Sequence, residues 1–248
     1  MEDYKKFNYK NYLKLVKIHS RNLPLMNYEE INNRTEKFLI IRHDVDYSVD
    51  RALKMAKLEN DNGVSSTYFF QIRNNSYNIQ SSKNIDIVKS IYRMGHKIGL
   101  HVHMGGHNKE LISVEDYIKN DLAVLSNYID YDIKCFSFHR PSIDLLKKNI
   151  SIPGFINAYS EMFFDLTEDF NNARIRYFAD SNHNWKYGNP FNNDNFLLKK
   201  IHLLIHPDNW SENGFNNEEN FNDLINEKTI EIKMTFNEES NSFPNNLL

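Results

Sequence analysis

The chain alternates short apolar runs with longer segments in which apolar residues recur every three or four positions. Phe38-Leu39-Ile40-Ile41 is continuously apolar, as a strand covered on both faces must be. Val49, Ala52, Leu53 and Ala56 follow at helical spacing and are closed by Asn62-Gly63, a helix stop. The unit then repeats. Ser66–Phe70 reads as a strand, Ile85, Val88, Ile91 and Tyr92 mark a helix ending near Gly95, and Lys97–His101 reads as the next strand. A helix is predicted over 114–129, with Ser113 and Asp116 spaced as a capping box and Tyr117, Leu122, Leu125 and Tyr128 on its apolar side. Further strands are predicted at 135–138, 154–159, 175–179 and 201–205. Strands alternating with helices imply an α/β fold around a parallel sheet, open or closed into a barrel.

The flanks differ from this core. Residues 1–35 are polar with scattered aromatics, and Tyr9, Tyr12, Leu13, Val16 and Ile18 suit one side of an opening helix. Residues 211–248 are rich in Asn and Glu and read as a polar tail that frays from Asn237 onward. No repeat, Pro- or Ser-rich linker or charge block marks a boundary, so 1–248 is expected to be one domain with its core at 38–210 and a helical extension at 1–35.

Composition narrows the chemistry. The 248 residues include ten His but one Cys, Cys135, which excludes an intrachain disulfide and any Cys-based zinc or iron–sulfur site. A metal would have to be held by His and carboxylates. The formal net charge of -3 carries no basic stripe of the kind a nucleic-acid binder shows. No run approaches the roughly 20 apolar residues of a membrane span. The first residues lack the apolar region of a signal peptide, and a cytoplasmic location is the expectation.

Ionisable residues gather where strands end: Asp44 and Asp46 after the first, His101 and its neighbours after the third, His139-Arg140 after the fourth, then Asp180 and His206. In parallel α/β folds this edge carries the ligand site. Asp44 and Asp46 are two apart, so in extended chain both carboxylates project the same way. A divalent cation or an arginine such as Arg140 relieves their repulsion. His101, His103 and His107 crowd one segment that Gly105-Gly106 makes pliable, and either the 101/103 or the 103/107 pair can share a face toward one metal. His206 is placed to protonate a leaving amine.

The order of these motifs, His43-Asp44-Val45-Asp46, Gly95-His96-Lys97-Ile98-Gly99-Leu100-His101, His139-Arg140-Pro141, Asp180 with Trp185, and His206-Pro207, resembles the polysaccharide deacetylases, the NodB-type carbohydrate esterases of family 4, in a branch with a divergent opening motif. The resemblance spans 38–210 and implies a distorted (β/α) barrel of about seven parallel strands. It implies a metal-dependent N-deacetylase acting on a sugar or glycan precursor in surface-polysaccharide biosynthesis, with a divalent ion, most commonly zinc. By position, Asp44 is the implied base, Arg140 the residue that holds it, His206 the acid and Asp180 the group that orients His206. Asp46 and His101 are implied metal ligands. The family's second histidine falls four residues after the first, where this chain has Gly105; His107 takes the third ligand position, with His103 and His139 as alternates. Tyr159, Trp185 and Trp210 are the aromatic residues expected to stack on sugar, as Tyr68 can also do. Two other readings compete: an inactive deacetylase-like module that binds sugar or protein, and an amidohydrolase or phosphoesterase using His101-Val102-His103.

Overall fold

The computed structural model describes residues 6–107, 111–165, 167, 173–192 and 197–247; residues 1–5 of the expected extension lie outside these. The central strand β1, Phe38–Val45, is buried along its whole length. It runs on through His43, Asp44 and Val45, past the apolar stretch that announces it. On one face Leu39, Ile41 and Val45 pack toward the helices, while on the other Phe38 and Ile40 face an interior shared with Phe69, Cys135, Ala158 and Ile175.

Around it lie β2 (Thr67–Phe70), β3 (Lys97–Val102), β4 (Cys135–Phe138), β5 (Ile156–Asn157), β6 (Arg176–Ala179) and β7 (Lys200–Ile205). All pairings are parallel, in the order β5-β4-β3-β2-β1-β7-β6. The chain therefore steps outward from β1 to β5, crosses to the opposite side, and returns to pair β7 with β1. This is the expected seven-stranded fold, left open as a curled half-barrel: among the described residues no pairing joins β5 to β6. Aromatic rings fill that seam, with Phe164 edge-on to both Tyr159 at 5.1 Å and Tyr177 at 4.9 Å. Gly99 is required by close approach, because a Cβ there would lie 2.4 Å from the ring of Phe69, its neighbour across the sheet.

The helices begin where short polar side chains can accept from free backbone N–H groups. Ser48 caps α2 (Val49–Asp61), Ser81 caps α3 (Ser82–Arg93), Ser113 caps α4 (Val114–Ile129) and Ser142 caps α5 (Ile143–Lys147). The opening helix α1 is Tyr9–Ser20, buried through Tyr12, Leu15 and Val16.

Three expectations need correction. On α4 the buried face is completed by Ile118 and Ile129, whereas Tyr128 is exposed. The strand expected over 154–159 shrinks to two paired residues, because Gly154 turns the chain at φ 84° and the Asn157 side chain accepts from Tyr159 N just beyond. The polar tail is helical before the stretch expected to fray and for its first residues: Asn217–Glu239 forms α6, opened by a capping box between Asn216 and Glu219. It is bolted down by the buried Arg51 of α2, which donates to Asn220 (2.7 Å), Asp223 (2.6 Å) and Glu227 (2.9 Å).

Behind the sheet, Glu59 of α2 is fully buried. One of its oxygens accepts from the Tyr12 hydroxyl and lies 2.9 Å from His43 Nε2, while the other accepts from Ser66 (2.7 Å) and Tyr68 (2.6 Å). His96 Nδ1 stands 3.6 Å away. Burial alone would raise this carboxyl, but His43 beside it and the hydrogen bonds outweigh burial and hold it at about 2. This network ties α1, α2, β1 and β2 together and accounts for His43, His96 and Tyr68, so Tyr68 has no role toward sugar.

With its folded pKa depressed, Glu59 contributes stability that is full above its ordinary value of 4.5 and is lost as pH falls toward 2. In urea unfolding at neutral pH, Glu59→Gln is expected to cost about 3 kcal/mol. The gap from the parent protein narrows as pH is lowered from about 5 to about 3; a gap that stayed constant would show that the carboxylate charge is not what holds the network.

Candidate active site and metal centre

The strand order brings the polar strand ends to one place. The ends of β7, β1, β2, β3 and β4 lie side by side, in register at His43 with Ile205, Val45 with Phe70, Phe70 with Leu100, and Val102 with Phe138. The side chains just beyond those positions open into a cleft of about 490 Å³ lined by Asp44, Asp46, His101, His139, Arg140, Tyr159, Tyr177 and His206 among others.

Asp44 is buried and accepts two hydrogen bonds from Arg42, Nε to Oδ1 and Nη2 to Oδ2, both 2.7 Å. Arg42 is itself fully buried, also donates to the Tyr159 hydroxyl (3.2 Å), and stacks its guanidinium over the Tyr159 ring. Desolvation raises the Asp44 carboxyl, but the guanidinium and its two hydrogen bonds dominate and keep it below the ordinary carboxylate range. This corrects the expectation for Arg140, which is exposed at a left-handed turn with φ 46° and makes no contact with Asp44. Arg42 was legible: it stands two residues before Asp44 in a strand, on the same face.

Asp46, His101 and His139 each present a ligand atom within 4.8 Å of the others. His101 Nε2 lies 3.3 Å and His139 Nδ1 3.1 Å from Asp46 Oδ1, which also accepts from Gln71 (2.9 Å). The Nδ1 of His101 meets the Ser137 hydroxyl at 2.8 Å, which turns Nε2 into the cleft. Two imidazoles and one carboxylate, oriented from behind, are a donor set that fits a divalent ion. The backbone of the Asp46 turn is held by Asp208, whose carboxylate accepts from the N–H groups of Asp46, Tyr47 and Ser48.

Of the candidates for the third ligand position, His139, one of the two alternates, is the one whose imidazole the fold brings to Asp46 and His101. His107 is turned away, with Nε2 at 2.9 Å from the Ile112 carbonyl and its ring edge-on to Tyr117. His103 stacks on His139 at 5.1 Å, and its Nδ1 accepts from Gly105 N, so its ring folds back over its own loop.

His206 completes the set. Its Nδ1 lies 2.6 Å from Asp180 Oδ1 and its backbone N donates to both Asp180 oxygens, leaving Nε2 toward the cleft, 3.9 Å from Asp46. Burial would lower this imidazole, but the Asp180 carboxylate reverses that and raises it to about 10. Asp180 also accepts from Trp210 Nε1 at 2.7 Å, and Trp210 is fully buried, so it orients Asp180 and offers no face to sugar. Trp185 packs against Phe7, Phe191 and Trp210, outside the cleft lining. Of the three expected aromatics, Tyr159 alone lines the cleft.

No family profile and no curated protein sequence matches the chain. Solved structures do. A family 4 carbohydrate esterase from Bacillus anthracis is 15% identical, with a TM-score of 0.43 over 87% of this chain and 86% of that one. A family 4 pseudoenzyme from the same organism is 13% identical, with a TM-score of 0.41 over 84% and 68%. A polysaccharide deacetylase from Bacillus cereus is 18% identical, with a TM-score of 0.40 over 69% and 79%. At such identities and scores, function must be read from the geometry of the site itself.

The donor set makes a direct prediction. His139→Ala is expected to lower zinc affinity by more than the roughly 10–100-fold loss expected of Ser137→Ala, whereas His107→Ala leaves it unchanged, in competition titrations against a chelating dye. Retained affinity in His139→Ala together with its loss in His107→Ala would return the ligand role to His107.

Proposed function

We propose that the chain is a divalent-metal-dependent hydrolase that removes an N-acyl group, acetyl in the simplest case, from a sugar or glycan precursor. The observation that carries this reading is the pairing of one donor triad with two separately oriented proton-transfer groups in a single cleft. Asp44 is held by Arg42 and lies 3.5 Å from His101 Nε2, and His206 is held by Asp180 with its Nε2 3.9 Å from Asp46. A site that only bound sugar would need neither group.

A divalent ion on Asp46, His101 and His139 would polarise the amide carbonyl and make a water acidic enough to react at neutral pH. The remaining work falls to the protein's own groups. Asp44 Oδ2, 3.5 Å from His101 Nε2, is positioned to take the proton of the attacking water. Arg42 fixes the orientation of that carboxylate through both of its oxygens. His206 gives a proton from Nε2 to the departing nitrogen, while its Nδ1 remains engaged with Asp180. The Tyr159 ring, packed over Arg42, forms part of the wall against which a sugar lies.

The test is acetate release from a panel of N-acetylated sugars by protein loaded with zinc, cobalt or manganese. Asp44→Asn is expected to lose about 10²–10⁴-fold in kcat at unchanged metal stoichiometry. Full activity in Asp44→Asn would remove the base assignment, and metal-replete protein that releases no acetate from any member of the panel would overturn the reading.

A further inference from the structure

The cleft continues past the catalytic groups. Tyr47, the residue after Asp46, meets Phe221 of α6 edge to face at 6.1 Å, and both residues line the cleft. The same two side chains also form one end of a second hollow of about 420 Å³, whose walls along α6 include Leu224, Ile225, Lys228 and Ile232. Those walls are apolar almost throughout.

The way α6 is attached makes this groove unusual. A surface helix normally turns its apolar stripe inward and its charges outward. Here Asn220, Asp223 and Glu227 face Arg51 of the domain, and Ile225 and Ile232 are left 61% and 47% exposed. From Phe221 to Ile232 the helix climbs about 16 Å, so the apolar strip leads away from the catalytic end for the length of a medium alkyl chain. A molecule that fills both hollows must be polar where it meets Asp44 and His206 and apolar beyond Tyr47.

We infer that the groove along α6 holds the alkyl aglycone of the substrate, so that the substrates are amphiphilic N-acyl glycosides and not free sugars; this rests on the proposed function. The polar head enters the cleft, the glycosidic linkage crosses over the Tyr47–Phe221 pair that borders both hollows, and the chain lies on Ile225 and Ile232.

The test compares octyl and methyl 2-acetamido-2-deoxy-β-D-glucopyranoside, the octyl compound below its micelle concentration, by calorimetric binding to the zinc-loaded full chain and, separately, by acetate release. Each CH₂ buried is worth about fourfold in affinity, so even partial seating of the chain gives the octyl compound an advantage of at least about tenfold. Ile225→Glu brings the octyl-to-methyl ratio of binding constants close to one, while Met234→Glu, an exposed site outside the groove, keeps the ratio of the parent; thermal melts establish that both variants fold. Equal binding of the two glycosides overturns the inference. So does a sedimentation profile in which the chain dimerises through this face and the octyl compound binds no better than the methyl one. An octyl preference in binding leaves the groove standing even if neither glycoside nor any member of the sugar panel releases acetate, an outcome that overturns the proposed activity instead.

Discussion

Strand β1 sets the terms for the whole molecule, because it is buried on both faces and yet carries Arg42, His43 and Asp44 in succession. Charges in such a place persist only if each finds a partner with good geometry. The alternation of the strand assigns the partners: Arg42 and Asp44 point together into the barrel and bind each other, while His43 points the other way and meets Glu59. The inner pair prepares the site, and the outer one fastens the helical layer. One strand thus commits the two sides of the sheet to different tasks, and a shift of register by one residue would destroy both.

The loops beyond the sheet are held by a second chain of contacts. Arg51 donates to the Asp208 carbonyl at 2.8 Å as well as to α6, and the Asp208 carboxylate gathers the backbone of the Asp46 turn. On the opposite side Trp210 and Asn209 fix Asp180, which fixes His206. The residues that would touch substrate are therefore few, and each rests on a buried partner at hydrogen-bond distance.

Much of this was legible in the sequence. Each predicted strand appears, because apolar runs bounded by turn residues leave little else to form in a parallel sheet, and the cap at Ser113 was visible as a spacing. The convergence of Asp46, His101 and His206 followed from their places at strand ends. What failed depended on loops. His107 and His139 both follow strands, and no spacing tells which imidazole a loop turns inward; His107 is drawn off by the Ile112 carbonyl. Arg140 drew attention by its place at a strand end and by resemblance, although Arg42 stands two residues before Asp44, at the strand period. Trp210 could not be told from a surface aromatic without knowing that Asp180 would claim its N–H. The helix α6 hid because its exposed isoleucines blur the amphipathic pattern, even though Asn216 and Glu219 spelled its start.

The open seam between β5 and β6 has a mechanical meaning. A ladder joins two strands by backbone bonds in register, whereas across this seam the rings of Phe164, Tyr159 and Tyr177 meet edge to face, so side-chain packing replaces backbone pairing there. Tyr159 is at once a member of that stack and the ring lying over Arg42. The one wall without a ladder among the described residues thus touches, through Tyr159, the buried Arg42–Asp44 pair, so the packing of that seam and the aim of the carboxylate depend on the same ring.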